Sequence, residues 1–128
     1  MKIKLLRIKY LLVLSVFFLS FCSRALNTIF TIDETFDSTL NNTCSVSGYI
    51  TDRNDKVPIP GTNILLIETN YGAAADVNGY FFIENIPPGM YNIKVSTPGW
   101  RSYTKSNVIF KGNHKYKFKI ELVDDIHL

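Results

Sequence analysis

Apolar and polar residues alternate with period two along two stretches of the chain. Phe81 and Ile83 alternate with Tyr80, Phe82 and Glu84, and after them Tyr91, Ile93 and Val95 alternate with Asn92, Lys94 and Ser96. Successive side chains of a strand point to opposite faces, so each stretch predicts a strand with one buried face. Turn chemistry precedes each. In Asp76-Val77-Asn78-Gly79 the aspartate can cap its own turn, while Asn and Gly tolerate positive φ. In Pro87-Pro88-Gly89 two prolines remove backbone donors and forbid a central strand, and the glycine lets the chain turn back. The pattern predicts a β-meander over residues 72–95, around which the rest of the chain is organised.

The remaining segments follow the same logic. Val46, Gly48 and Ile50 share one face, and 52–60 is a polar loop with two prolines. Residues 64–67 form a continuous apolar run, which predicts a strand near the sandwich centre with both faces covered. A short strand of small residues at 71–75 comes next. Beyond the two alternating strands, Pro98-Gly99 marks a turn, 100–110 a less regular strand, Lys111-Gly112-Asn113 a turn, and 116–123 a last strand. There Tyr116, Phe118 and Ile120 alternate with Lys115, Lys117 and Lys119, a strand with a solvated lysine face; a phosphate-binding stripe is the alternative. No helical period occurs after residue 26. Short strands separated by Gly and Pro turns predict an all-β protein, a seven-stranded antiparallel β-sandwich. Residues 26–43 are rich in Thr, Asn and Asp without a sustained period, and are expected to be a flexible tether with at most a short strand near 29–32. As a coil such a tether spans on the order of 25 Å.

The N-terminus is of another kind. Lys2, Lys4, Arg7 and Lys9 precede an apolar stretch, 11–21, interrupted only by Ser15 and Ser20. That is too short to span a bilayer and suits the core of a signal peptide. Ser23-Arg24-Ala25 offers small residues for cleavage, so 1–25 is expected to be a signal peptide and the protein to be exported, to the periplasm or the outer membrane. A retained anchor is the alternative. Leu19-Ser20-Phe21-Cys22 also fits a lipoprotein signal in which Cys22 is acylated, although Phe21 stands where a small residue is expected. Five of the 14 basic residues lie before residue 26, leaving nine against 11 acidic ones, a net charge of −2 after cleavage. The basic excess therefore belongs to the leader, and nucleic acid is not expected as a partner. Cys44 is the one cysteine left in the mature part, so no internal disulfide can staple it.

Four short motifs carry a family resemblance. They are Gly48-Tyr49-Ile50-Thr51-Asp52; Pro58-Ile59-Pro60-Gly61-Thr62-Asn63-Ile64; the Asp76 to Gly79 turn followed by Phe81; and Pro87-Pro88-Gly89-Met90-Tyr91. In this order and spacing they resemble the carboxypeptidase regulatory-like domain. Thr62 stands where that family prefers Ala, and Ala75 where it prefers Thr. The resemblance implies a transthyretin (prealbumin)-like sandwich over 44–124 with a tail at 125–128. It makes Asp52, Pro60, Gly61, Asp76, Gly79, Pro88 and Gly89 structural turn positions. It also implies an accessory rather than catalytic role, most often as the N-terminal periplasmic extension of TonB-dependent outer-membrane importers. Residues 121–128 would then end where the linker to a plug begins.

Candidate chemistry is sparse. The histidines, His114 in a turn and His127 near the C-terminus, are not at metal-ligand spacing. Asp76 and Asn78 look like the start of a calcium loop that lacks its other ligands, so turn capping is the expectation. No serine lies in a G-x-S-x-G elbow. No enzyme activity, metal or cofactor is expected. Tyr80, Phe82, Trp100 and Tyr103 fall at outward or turn positions and form the candidate contact surface, for an outer-membrane receptor, a periplasmic protein or, alternatively, a glycan. The structural alternative is that these rings cover strand edges.

Overall fold

The computed structural model describes residues 27–125; the expected signal peptide at 1–25, Cys22 and His127 lie outside the described residues. Each period-two stretch forms a strand. In chain order these are β1 (Ile29–Phe36), β2 (Cys44–Asp52), β3 (Asn63–Leu66), β4 (Gly72–Ala74), β5 (Tyr80–Ile86), β6 (Gly89–Ser96), β7 (Tyr103–Phe110) and β8 (His114–Leu122), with one 3-10 turn at Ser38–Leu40. They make two four-stranded sheets, ordered β1-β8-β2-β5 and β4-β3-β6-β7. The β-sandwich expected from the alternation is what forms. Between the sheets Phe110 lies 4.7 Å from the Tyr116 ring and 6.3 Å from that of Phe118. Ile50, Ile64, Leu66, Ile93 and Ile120 are fully or almost fully buried around them.

Four expectations are corrected. Eight strands stand among the described residues instead of seven, because part of the expected tether, Ile29–Phe36, is a strand. It pairs antiparallel with β8 from Ile29↔Glu121 to Phe36↔His114. An edge strand needs only one ladder and one apolar face. Half-buried Phe30 supplies the apolar contact, its ring 4.9 Å from that of Phe118, while the outer Thr and Asp residues give the segment its loop-like composition. The first sheet is also mixed, since β2 pairs parallel with β8. After β2 the chain goes to the other sheet and back twice, through β5, before β8 enters beside β2 in the same direction.

The predicted meander is likewise two crossings between sheets. The Asp76 to Gly79 turn carries the chain from β4 in the second sheet to β5 in the first, and Pro87-Pro88 carries it back to β6. Buried Phe81 and Ile83 thus face buried Ile93 and Val95 across the core rather than beside them. Lastly, β3 is central in its sheet, but only Ile64 and Leu66 are buried; Leu65 is 41% exposed, so its outer face is open. The described chain beyond residue 120 stays within the sandwich. Glu121 and Leu122 complete β8, Val123 is buried, and the Asp125 N–H donates to the Gly99 carbonyl at 3.0 Å.

Candidate functional site

The turn residues do structural work with identifiable partners. Asp76 Oδ1 accepts from the N–H groups of Asn78 (2.8 Å) and Tyr80 (2.9 Å), which occupies this oxygen in the turn. Gly79 holds φ +73, and its carbonyl accepts from the Ile50 N–H at 2.9 Å. Asp52 Oδ1 accepts from the Asn54 N–H at 2.7 Å, and its Oδ2 accepts from Trp100 Nε1 at 3.2 Å. Pro60 precedes Gly61, which holds φ +76. The fully buried Thr62 is accommodated because its hydroxyl donates to the Ile59 carbonyl at 3.0 Å. At the second crossing, with Pro88 in it, the left-handed residue is Asn85 (φ 57). Gly89 instead opens β6, and the Tyr91 hydroxyl donates to the Pro87 carbonyl at 2.7 Å.

The four candidate contact residues do not form one surface. Tyr80 and Phe82 point outward from β5, 36% and 48% exposed. Tyr103 is half-buried against Phe30, with ring centroids 5.8 Å apart, and half-buried Trp100 is tied to Asp52. Tyr49, which sequence reasoning passed over, joins the first pair: it is 56% exposed and its ring centroid lies 5.2 Å from that of Tyr80. Its signal was present, since Tyr49 is out of phase with Val46, Gly48 and Ile50.

Strand register assembles these rings with the lysine column. Across the outer face of the first sheet one row runs Thr31, Lys119, Tyr49, Tyr80 and the next Asp33, Lys117, Ser47, Phe82. Between the aromatic strand and the lysine strand lies a trough of about 270 Å³, lined by Ser45, Ser47, Phe82, Glu84, Lys115 and Lys117 among others. Lys115 pairs with Asp37, and together with Thr39 it holds that carboxyl well below the usual carboxylate range. Lys119 Nζ lies 3.8 Å from Glu121 Oε1. Glu121 is almost fully buried and also meets Lys56 at 2.9 Å and Arg53 at 3.6 Å, a cluster that anchors the end of β8. Lys117 takes part in no ion pair among the described residues.

Burial pushes the Cys44 thiol up to about 11, so it stays protonated near neutrality and is a poor nucleophile. Its Sγ donates to the Ile86 carbonyl at 3.4 Å. No group of three or more His, Cys, Asp or Glu is placed to hold a metal ion among the described residues. The surface can stack, form hydrogen bonds and pair charges.

Comparison with known proteins bears on the family and the fold. The model of one family, the CarboxypepD_reg-like domain, matches residues 46–128. Two solved structures, both mutants of a type II cohesin–X-dockerin complex from Acetivibrio cellulolyticus, contain a similar chain. The C-terminal interface mutant gives 26% identity and a TM-score of 0.51, and the N-terminal interface mutant 27% and 0.50. In both, the likeness covers 59% of this chain and 51% of the other, about half of the solved chain's length. No curated protein matches the sequence.

Proposed function

Since this chain belongs to the CarboxypepD_reg-like domain family, we propose that it is a non-catalytic module of the cell envelope that docks onto other proteins through the outer face of its first sheet. The observation that carries this reading is the exposed group Tyr49, Tyr80 and Phe82 beside Lys115, Lys117 and Lys119. Tyrosine and other aromatic rings are the residues from which protein interfaces draw most of their affinity. The likeness to a chain from a cohesin–X-dockerin complex, itself an assembly of proteins, supports the same class of role. An outer-membrane importer of the TonB-dependent kind, of which this domain would be the periplasmic extension, is the partner that the family resemblance suggests.

A photo-crosslinking residue at position 82 tests the reading in intact cells, with Ile109, 65% exposed on the other sheet, as the control site. Position 82 is expected to give crosslinks to an envelope protein and position 109 none. Equal labelling at both, or recovery of the protein from the cytoplasm, would refute it. The exposed rings also suit sugar stacking, so a glycan is the second reading. A glycan array in which Phe82→Ala abolishes a specific signal would favour it.

A further inference from the structure

We infer that the trough on the first sheet receives an extended peptide segment of the partner in which acidic residues alternate with apolar or aromatic ones. The inference rests on the docking reading and names the chemistry of what docks. Strand β2 lies between β8 and β5, and neighbouring strands are about 4.8 Å apart, so the two walls of the trough stand roughly 10 Å from each other. Ser45 and Ser47, opposite Lys115 and Lys117, leave the floor low. On one wall, Lys115 and Lys117 leave the strand at every second residue, a backbone repeat of about 7 Å, and Lys119 continues the column past the end of the trough. On the other stand Phe82 and Glu84, and the paired rings of Tyr80 and Tyr49 lie one row beyond, at the end of the trough. Leu40 lies at its margin.

An extended chain has the same repeat as the lysine column, and its successive side chains point to opposite sides. Laid along β2, it turns every second side chain to the lysines and the others to the rings. Carboxylates in one set meet Lys117, which has no ion pair among the described residues and stands between Lys115, paired with Asp37, and Lys119, near Glu121. Apolar side chains in the other set cover Phe82, 48% exposed. Glu84 on the ring wall repels acid on that side and so favours one placement. Asp33, across from Lys117 on β1, lies outside the trough. The occupant is therefore read by charge on one side and by apolar contact on the other.

The test uses the purified protein and a labelled peptide of about nine residues alternating Glu with Leu and Tyr, in the length range of a strand. Two comparators have Lys in place of Glu, or the same residues in one acidic and one apolar block. Anisotropy should show binding of the alternating acidic peptide alone, weakened about tenfold between about 20 mM and about 300 mM salt, because exposed charges are screened. Amide shifts should move at Ser45, Ser47, Phe82 and Lys117. Phe82→Ser and Lys117→Gln should each weaken binding about five- to tenfold without lowering the melting temperature, since both side chains are exposed. Equal binding of a comparator, insensitivity to salt, shifts on another face, or cellohexaose binding there in place of the peptide would each overturn the inference. In-cell crosslinks at position 82 without this peptide preference would leave the docking reading standing and remove only the alternating acidic occupant.

Discussion

Replacing Gly79 by alanine isolates the element that brings the chain from one sheet to the other. Gly79 holds φ +73, where an L-residue costs about 1–2 kcal/mol. An added Cβ would also stand 2.4 Å from the Ile50 carbonyl oxygen and 3.2 Å from Pro58 Cβ. The Ile50 carbonyl cannot simply retreat, because it accepts from the Ile59 N–H at 3.0 Å while the Ile50 N–H donates to Gly79 itself at 2.9 Å. Forcing β2 aside is an overpacking cost of about 1–3 kcal/mol. The sum is about 2–5 kcal/mol, a large part of the 5–15 kcal/mol that holds a typical domain, and it lowers the melting temperature by roughly 10 °C or more. Gly61 supplies the control, with φ +76 and nothing within 4 Å of the place an added Cβ would take. Gly61→Ala should therefore cost only the backbone part, about 1–2 kcal/mol. Urea unfolding of both variants measures the difference, expected at about 1–3 kcal/mol. Equal midpoints and slopes would refute the claim that the contact of Gly79 with β2, and not its backbone angle alone, demands glycine.

Two further outcomes follow from burial and from β1. The Cys44 thiol is raised from 9.0 to about 11 by burial, so its contribution to stability is intact below about pH 9 and is lost as the pH rises towards 11. Cys44→Ala should flatten the alkaline fall in melting temperature, and native Cys44 should react with iodoacetamide far more slowly than the urea-unfolded chain; equal rates would show that it is not buried. Phe30→Ala removes ring contacts to Phe118 and Tyr103 and should cost about 1–2 kcal/mol, less than a fully buried Phe because the ring is half-buried. Amides along Ile29–Phe36 that pair with β8 should exchange slowly in the unmutated protein, and exchange at the rate of an unstructured chain would refute β1 as part of the sandwich.

Local and non-local information separate cleanly in this fold. Alternation places Phe81 and Ile83 inward and Tyr80 and Phe82 outward because the two faces of a strand differ only in the solvent they meet. That pattern is the same whether the next strand is a hairpin neighbour or lies in the opposite sheet. The Asp76 to Gly79 and Pro87-Pro88 turns therefore read as the ends of a meander, while the structure uses both to cross the core. β1 was hidden for a related reason: an edge strand needs few apolar residues, and its Thr and Asp side chains sit where water is. The apolar run at 64–67 misled in the other direction, since an outward Leu65 is not a buried one.

The candidate contact surface was half legible for the same physical reason. Tyr80 and Phe82 lie in a regular strand and obey its period. Trp100 lies in the irregular segment before β7, and although Tyr103 opens that strand, the segment gives no phase from which its inward direction can be read. Tyr49 obeys the period of β2 but becomes part of a patch only through its pairing with Tyr80. The trough needs one step more. Its lysine wall and its serine floor lie far apart in sequence and meet through the parallel pairing of β8 with β2, Lys115 beside Ser45 and Lys117 beside Ser47. Shifting that register by one residue would turn Tyr116 and Phe118 outward and bury the lysines, which the core packing of Phe118 against Phe81, Phe110 and Phe30 opposes. The contact of Phe118 with Phe110, which joins the two sheets, thus also fixes the lysines on the outer face of the first sheet.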